Sequence, residues 1–249
     1  MGSLILAIRF LTIVPVPGRE ATGSSALGRA AGWFPVVGLL LGIGLAMVGR
    51  AVDALFPPLV AAALLLAGWK VATGGIHLDG VADCLDGLAG HDPARRLAIM
   101  RDSRIGVFGA AGLILLCLLT VAALAALAAS LRLRVLVLAP MIGRVAPLLA
   151  GAWLAPATPG QGLGAAFAEG LSRGAGPAHV VASGVLAAWL LGIGGVAVAA
   201  AAWSLALLAA AFVARRLGGL TGDVLGAVVE VAELGTLLGA AAAAHRGWL

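Results

Sequence analysis

Charge is scarce in this sequence. Only 11% of the 249 residues are charged, where a typical soluble domain carries roughly a quarter. No stretch of the chain is polar enough to form a separate soluble domain, so the deficit points to lipid as the solvent. Lysine is nearly absent, with one beside 15 arginines, and the net charge is +5. The arginines are scattered near the ends of apolar runs and form no basic stripe interleaved with aromatics. That pattern argues against nucleic acid as a partner and for the charge bias of a polytopic membrane protein. The two cysteines, Cys84 and Cys117, have no metal-site spacing and form no disulfide framework. No internal repeat is evident, and the apolar run Leu4–Val16 lacks a small-residue cleavage site. That run is short and closed by Pro15 and Pro17, which fits a segment lying at the membrane interface.

What is abundant is apolar. Hydrophobic residues make up 62% of the chain and the mean hydropathy is +1.11. Apolar segments fall at about 31–49, 58–76, 105–129, 135–154, 180–194, 196–214 and 224–243, most near the length of a bilayer crossing, with 180–194 and 196–214 each shorter than a standard span. They predict an all-α, polytopic integral membrane bundle of about six to seven transmembrane helices, built as one domain over residues 1–249. The 180–214 stretch is predicted to be a hairpin turning at Gly194-Gly195. Arg9, Arg19 and Arg29, with Arg95, Arg96, Arg101 and Arg104, place the N-terminal region and the 77–104 connection in the cytoplasm. Arg173, Arg215 and Arg216 then fall on the same side, whereas Arg132 and Arg134 stand in a short outer loop against the rule.

Acids are few and gathered. Of the 11 carboxylates, Asp79, Asp83, Asp86, Asp92 and Asp102 lie in one short stretch. The spacing of Asp79, Asp83 and Asp86 puts all three on one face of a helix. Like charges so placed repel, and proximity to a bilayer raises the cost of each ionised group. Two readings compete: a solvated helix face without a ligand, or a site for a divalent cation such as Mg²⁺, whose hard oxygen ligands are carboxylates and substrate phosphates. The scarcity of charge elsewhere favours the second. Arg101, Asp102, Ser103 and Arg104 follow, and guanidinium groups beside acidic ligands suit a diphosphate. Arg144, inside an apolar segment, is a further candidate clamp. His77 is compatible with a proton acceptor, a ligand or a cap. Asp92, between His91 and Pro93, reads as the N-cap of a short helix.

A second patch runs Gly218-Gly219-Leu220-Thr221-Gly222-Asp223, followed by Glu230 and Glu233. It reads either as a glycine-rich turn with Asp223 as an N-cap or as a ligand contact. Glu230, two turns into the last span, requires a partner.

The block from Thr73-Gly74-Gly75-Ile76-His77-Leu78-Asp79-Gly80 through Asp83 to Asp86-Gly87, then Ile99-Met100-Arg101-Asp102-Ser103-Arg104-Ile105-Gly106, resembles the signature of the cobalamin synthase family, the adenosylcobinamide-GDP ribazoletransferases. Phe10-Leu11-Thr12, Phe34-Pro35 and Thr221-Gly222-Asp223 with Glu230 extend the likeness along the chain. Leu220 stands where a polar residue such as glutamine is expected, and Ile13 where a basic one is. The resemblance implies an enzyme of the bacterial inner membrane, multi-pass, with its active site facing the cytoplasm. Such an enzyme joins α-ribazole, or its 5′-phosphate, to adenosylcobinamide-GDP with loss of GMP, late in cobalamin (vitamin B12) biosynthesis. On this reading Asp79, Asp83, Asp86 and Asp102 hold Mg²⁺. Arg101, Arg104, Arg144, Thr221, Gly222, Asp223 and Glu230 bind substrate, and His77 or an aspartate takes the proton. Membrane lipid surrounds the chain, and association as a homo-oligomer stays open. Two rivals remain. Asp83-Cys84-Leu85-Asp86-Gly87 is similar to the opening of the CDP-alcohol phosphotransferase motif, and carboxylates near spans also serve ion-coupled transporters.

Overall fold

The computed structural model describes residues 1–249. The regular structure of the chain is all helix, and the one β-type contact is an isolated bridge between Pro156 and Leu220. In order the helices are α1 (Gly2–Leu11), α2 (Ala26–Ala31), α3 (Phe34–Leu55), α4 (Pro58–Ala72), α5 (Ile76–Gly87), α6 (Pro93–Met100), α7 (Val107–Ala126), α8 (Ala129–Trp153), α9 (Gly162–Gly170), α10 (Ala175–Leu217) and α11 (Gly222–His245). Five are long and apolar enough to cross a membrane, or six if the bent pair α4–α5 forms one span. This is the expected polytopic bundle. The N-terminal helix α1, at 10 residues, is too short to cross.

The helix α10 has 43 residues. Straight, it would measure about 65 Å, roughly twice a hydrocarbon core. It breaks at Gly192, whose φ of 67° and ψ of −161° are non-helical. A Cβ on Gly195 would collide with the Ala187 carbonyl, so the chain has doubled back. The hairpin expected from the sequence is present, but its turn is Gly192 and not Gly194-Gly195. Gly192 supplies the left-handed backbone. Gly194 instead lets the C-terminal Trp248 and Leu249 approach, and Gly195 lets the two legs touch. With these legs counted separately, seven segments run between the two ends of the bundle.

The buried centre is α8, packed between α3, α10 and α11. Gly38 and Gly42 lie one turn apart on α3 and bring its backbone onto the Pro140 and Val137 carbonyls of α8, the close approach that small residues allow in membranes. Trp203 Nε1 donates to the Ile142 carbonyl at 3.0 Å, pinning α10 to α8. Gly42→Leu has no space for its side chain. It is expected to destabilise the bundle by about 3 kcal/mol, read as a lower unfolding temperature in detergent.

One end carries Asp53, the α7–α8 turn, Gly192 and the C-terminus. There Arg132 pairs with Asp53 at 2.5 Å and donates to the Leu124 carbonyl, while Arg134 donates to the Leu190 carbonyl at 3.2 Å. The two arginines that break the charge rule are therefore tied into the structure. The other end carries α1, α2, α5, α6 and α9 with the remaining loops, and is the arginine-rich end.

Candidate active site

The site begins where α4 stops. Gly74 and Gly75 have φ of 62° and 68°, the left-handed region where glycine carries no Cβ penalty. The Thr73 hydroxyl donates to the Trp69 and Lys70 carbonyls, closing the helix end. The chain then bends by 92° into α5. Across the arginine-rich end α5 packs on the start of α11, where Gly80 has no room for a Cβ beside the Asp223 carbonyl and Gly226 faces His77. These contacts bring His77, Asp79 and Asp83 of α5 together with Asp223 of α11.

Three concavities meet there. The first, about 150 Å³, is largely apolar and lies under α1, α2 and α9. Its walls include Phe10, Phe34, Phe167, His77, Asp79 and Asp223. The second, about 680 Å³ and polar, is lined by Asp79, Asp83, Arg101, Asp102, Ser103 and Arg104. The third, about 280 Å³, holds Arg101, Thr158, Gln161, Leu220, Thr221, Gly222 and Asp223. Asp79 joins the first to the second, Asp223 the first to the third, and Arg101 the second to the third.

The acids play different parts. The carboxylates of Asp79 and Asp83 make no hydrogen bond or ion pair, and the carboxylate of Asp223 accepts one side-chain hydrogen bond, from the Thr221 hydroxyl at 3.3 Å. Thr221, not Asp223, is the N-cap of α11, accepting from the Val224 amide. Asp223 is thereby left free for the cleft. Asp86 is turned elsewhere. Its oxygens accept the Gly106 and Gly109 amides at 2.7 and 2.8 Å, supplying from α5 the anionic cap that α7 lacks. Asp86→Ala is expected to cost about 2 kcal/mol in unfolding stability. Asp86→Asn, which keeps one acceptor, should lose less in the same thermal unfolding measurement.

Asp102 lies in the cleft wall but is held by Arg104 at 2.6 Å. The Arg104 side chain and amide hold its carboxyl down at about 2. A depressed acid stabilises above its ordinary range and loses that contribution as pH falls through about 2. Asp102 is thus charged wherever the protein is assayed. An ion pair this exposed is weak, so Arg104 remains free to exchange it for a phosphate. Asp92 caps α6 as expected, accepting the Arg95 amide at 2.8 Å, and that bond lowers its pKa.

Of the four aspartates expected to hold Mg²⁺, Asp79 and Asp83 are open to the cleft, whereas Asp86 is engaged by amides of α7 and Asp102 by Arg104. No three acidic, histidine or cysteine side chains are placed to cage a metal by themselves. The carboxylates without a cationic partner that face the cleft are Asp79, Asp83 and Asp223. Such a set fits a cation shared with substrate oxygens, since Mg²⁺ keeps several waters and is bound by one or two carboxylates plus phosphates.

Arg144 and Glu230, expected to bind substrate, lie deeper in the bundle. Arg144 is wholly buried and paired with Glu233. Glu230, 2% exposed, receives Lys70 Nζ at 2.6 and 2.7 Å, and the same ammonium reaches Glu233 at 3.2 Å. Neither Arg144 nor Glu230 lines the three concavities. The partner that Glu230 requires is Lys70, which the sequence reading overlooked although it is the one lysine in an apolar span. Gln161 was also missed; it lies in a loop without periodic pattern. It supplies an amide to the concavity where Leu220 supplies only backbone, through the Ala157 amide and Ala155 carbonyl.

An all-helical bundle with an open acidic cleft flanked by arginines at one end has the layout of a membrane-embedded phosphotransferase. The chain belongs to the cobalamin-5-phosphate synthase family, which it matches over residues 3–241. It is 41% identical over 229 residues to an adenosylcobinamide-GDP ribazoletransferase of a Roseiflexus species, covering 92% of this chain and 85% of that one. Similar enzymes from Stutzerimonas stutzeri and Brevibacillus brevis are 39% and 37% identical, with coverage of 96% or more of each chain. No solved structure matches it.

Proposed function

We propose that the chain is an adenosylcobinamide-GDP ribazoletransferase. It joins α-ribazole or its 5′-phosphate to adenosylcobinamide-GDP and releases GMP. The observation that carries this reading is the meeting of unpaired Asp79, Asp83 and Asp223 with Arg101 and Arg104, within a chain similar end to end to enzymes of that name. The acceptor hydroxyl attacks the phosphorus on the cobinamide side of the diphosphate. The bond from that phosphorus to the GMP oxygen breaks, and GMP leaves with the electron pair.

Asp79, Asp83 and Asp223 would hold Mg²⁺ against the diphosphate. Bound there, it supplies neutralisation of charge on the leaving phosphate and alignment for in-line attack. Arg101 and Arg104 bind the phosphate oxygens and draw them toward the junction. The hydroxyl proton passes to a carboxylate at the junction or to His77, which lines the same cavity. The arginine-rich end faces the cytoplasm of a bacterial inner membrane, consistent with the positive-inside bias.

Purified protein in lipid vesicles, given adenosylcobinamide-GDP and α-ribazole, should release GMP with Mg²⁺ and stop when EDTA is added. GMP release that persists in EDTA would remove the metal from the proposal. No GMP release under any condition would remove the reaction.

A further inference from the structure

We propose that the cavity of about 150 Å³ under α1, α2 and α9 seats the aromatic base of the ribazole acceptor, with the unglycosylated ring nitrogen of the base meeting His77. The inference rests on the transferase reading and adds to it the subsite that selects the acceptor.

Three features carry the assignment. The first is the wall. Phe10 and Phe34 stack with ring centroids 5.7 Å apart and planes 14° from parallel, and Phe167 lies 6.0 Å beyond Phe34. Leu11 and Leu225 add apolar surface. Flat aromatic walls suit a flat aromatic guest.

The second feature is His77. It lines the cavity and is 5% exposed, and its Nδ1 is buried without a hydrogen-bond partner. A buried polar atom left unpaired is costly. An imidazole-type ring nitrogen on the guest supplies the missing partner, His77 donating when its Nδ1 carries the proton.

The third is position. Asp79 and Asp223 stand at the mouth, where the apolar cavity opens into the two polar concavities. A guest whose base sits inside would present its ribose hydroxyls at that mouth, beside the carboxylates and the diphosphate.

The size argues in the same direction. A cavity of about 150 Å³ accepts a benzene-sized ring, and the open mouth gives the fused second ring its place. The corrin is far too large. Guanine would leave several donors and acceptors unpaired on these walls. A hydrocarbon chain would strip water from Asp79 and Asp223 without replacing it.

The experiment measures equilibrium binding of free 5,6-dimethylbenzimidazole to the purified full chain, and its inhibition of GMP release. The free base should bind, and should compete with α-ribazole but not with adenosylcobinamide-GDP. Phe10→Ala and Leu225→Ala should each raise KM for α-ribazole about tenfold, with less than about a twofold change in KM for adenosylcobinamide-GDP. The 3-deaza analogue of α-ribazole, which carries C–H in place of the free nitrogen, should bind about tenfold more weakly to wild type. That discrimination should vanish in His77→Phe. Normal GMP release without binding of the free base, or with competition against the diphosphate donor, overturns the cavity assignment while leaving the reaction intact. Binding of the base that Phe10→Ala and Leu225→Ala leave unchanged overturns it as well. Base binding at this cavity without any GMP release sinks the reaction and leaves the aromatic subsite standing.

Discussion

Asp79→Asn is expected to lower the rate of GMP release by about a thousandfold, and Asp83→Asn by about a hundredfold or more. The asparagine amide keeps the size and one acceptor oxygen of the aspartate. It removes the negative charge that a divalent cation and its diphosphate require. Asp79 borders both the apolar cavity and the polar cleft, so its loss should affect the alignment of both substrates. Asp83 borders the cleft alone. Neither side chain holds the fold through a bond to another group, so both variants should insert, extract in detergent and unfold within about 0.5 kcal/mol of wild type. Asp86→Asn supplies the contrast. It should lose stability first, because its carboxylate holds the amides that open α7. A wild-type rate in Asp79→Asn at saturating Mg²⁺ would remove that residue from the metal and phosphate site.

The three aspartates of α5 show how far sequence alone reaches. Helical spacing put Asp79, Asp83 and Asp86 on one face, and the structure agrees. A helix face is nevertheless broad, and the 92° bend between α4 and α5 lays α5 against the start of α11. Asp79 and Asp83 then open onto the cleft while Asp86, one turn on, meets the start of α7. Spacing shows which residues share a face but not which helix crosses it. The spans were legible because a bilayer imposes length and apolarity on every crossing. Lys70 was not, because a lone basic residue at a span end reads as a snorkelling side chain. Only the packing of α4 on α7 and α3, which sends the ammonium across to Glu230 and Glu233 of α11, makes it a buried partner. The pairing of Arg144 was hidden for the same reason: an arginine in an apolar run signals a buried anion without identifying it, and Glu233 is as good an anion as a phosphate.

The cluster formed by Lys70, Arg144, Glu230 and Glu233 sets the other large expectation. Two cations and two carboxylates from α4, α8 and α11 meet below His77, balanced in charge, with Arg144 and both glutamates nearly sealed from solvent. Removing one member leaves an uncompensated charge in the bundle, and breaking a buried pair costs about 3–5 kcal/mol. Glu233 touches both cations, so Glu233→Ala is expected to be the most damaging single change, lowering stability by about 4 kcal/mol or more. Lys70→Met leaves Glu230 without its cation and should cost about 3 kcal/mol. The double variant Lys70→Met with Glu230→Met removes one cation and one anion together and fills their place with apolar volume. It should recover most of that loss, because a desolvated ion pair often contributes little beyond what well-packed hydrophobic side chains would. Unfolding of the two single variants and the double variant in detergent gives the coupling directly. Additive losses would show that these charges act separately. Recovery in the double variant, with GMP release still near wild type, would show that the cluster fastens the three helices and has no part in phosphoryl transfer. A stable double variant that cannot turn over would instead return Glu230 to the substrate.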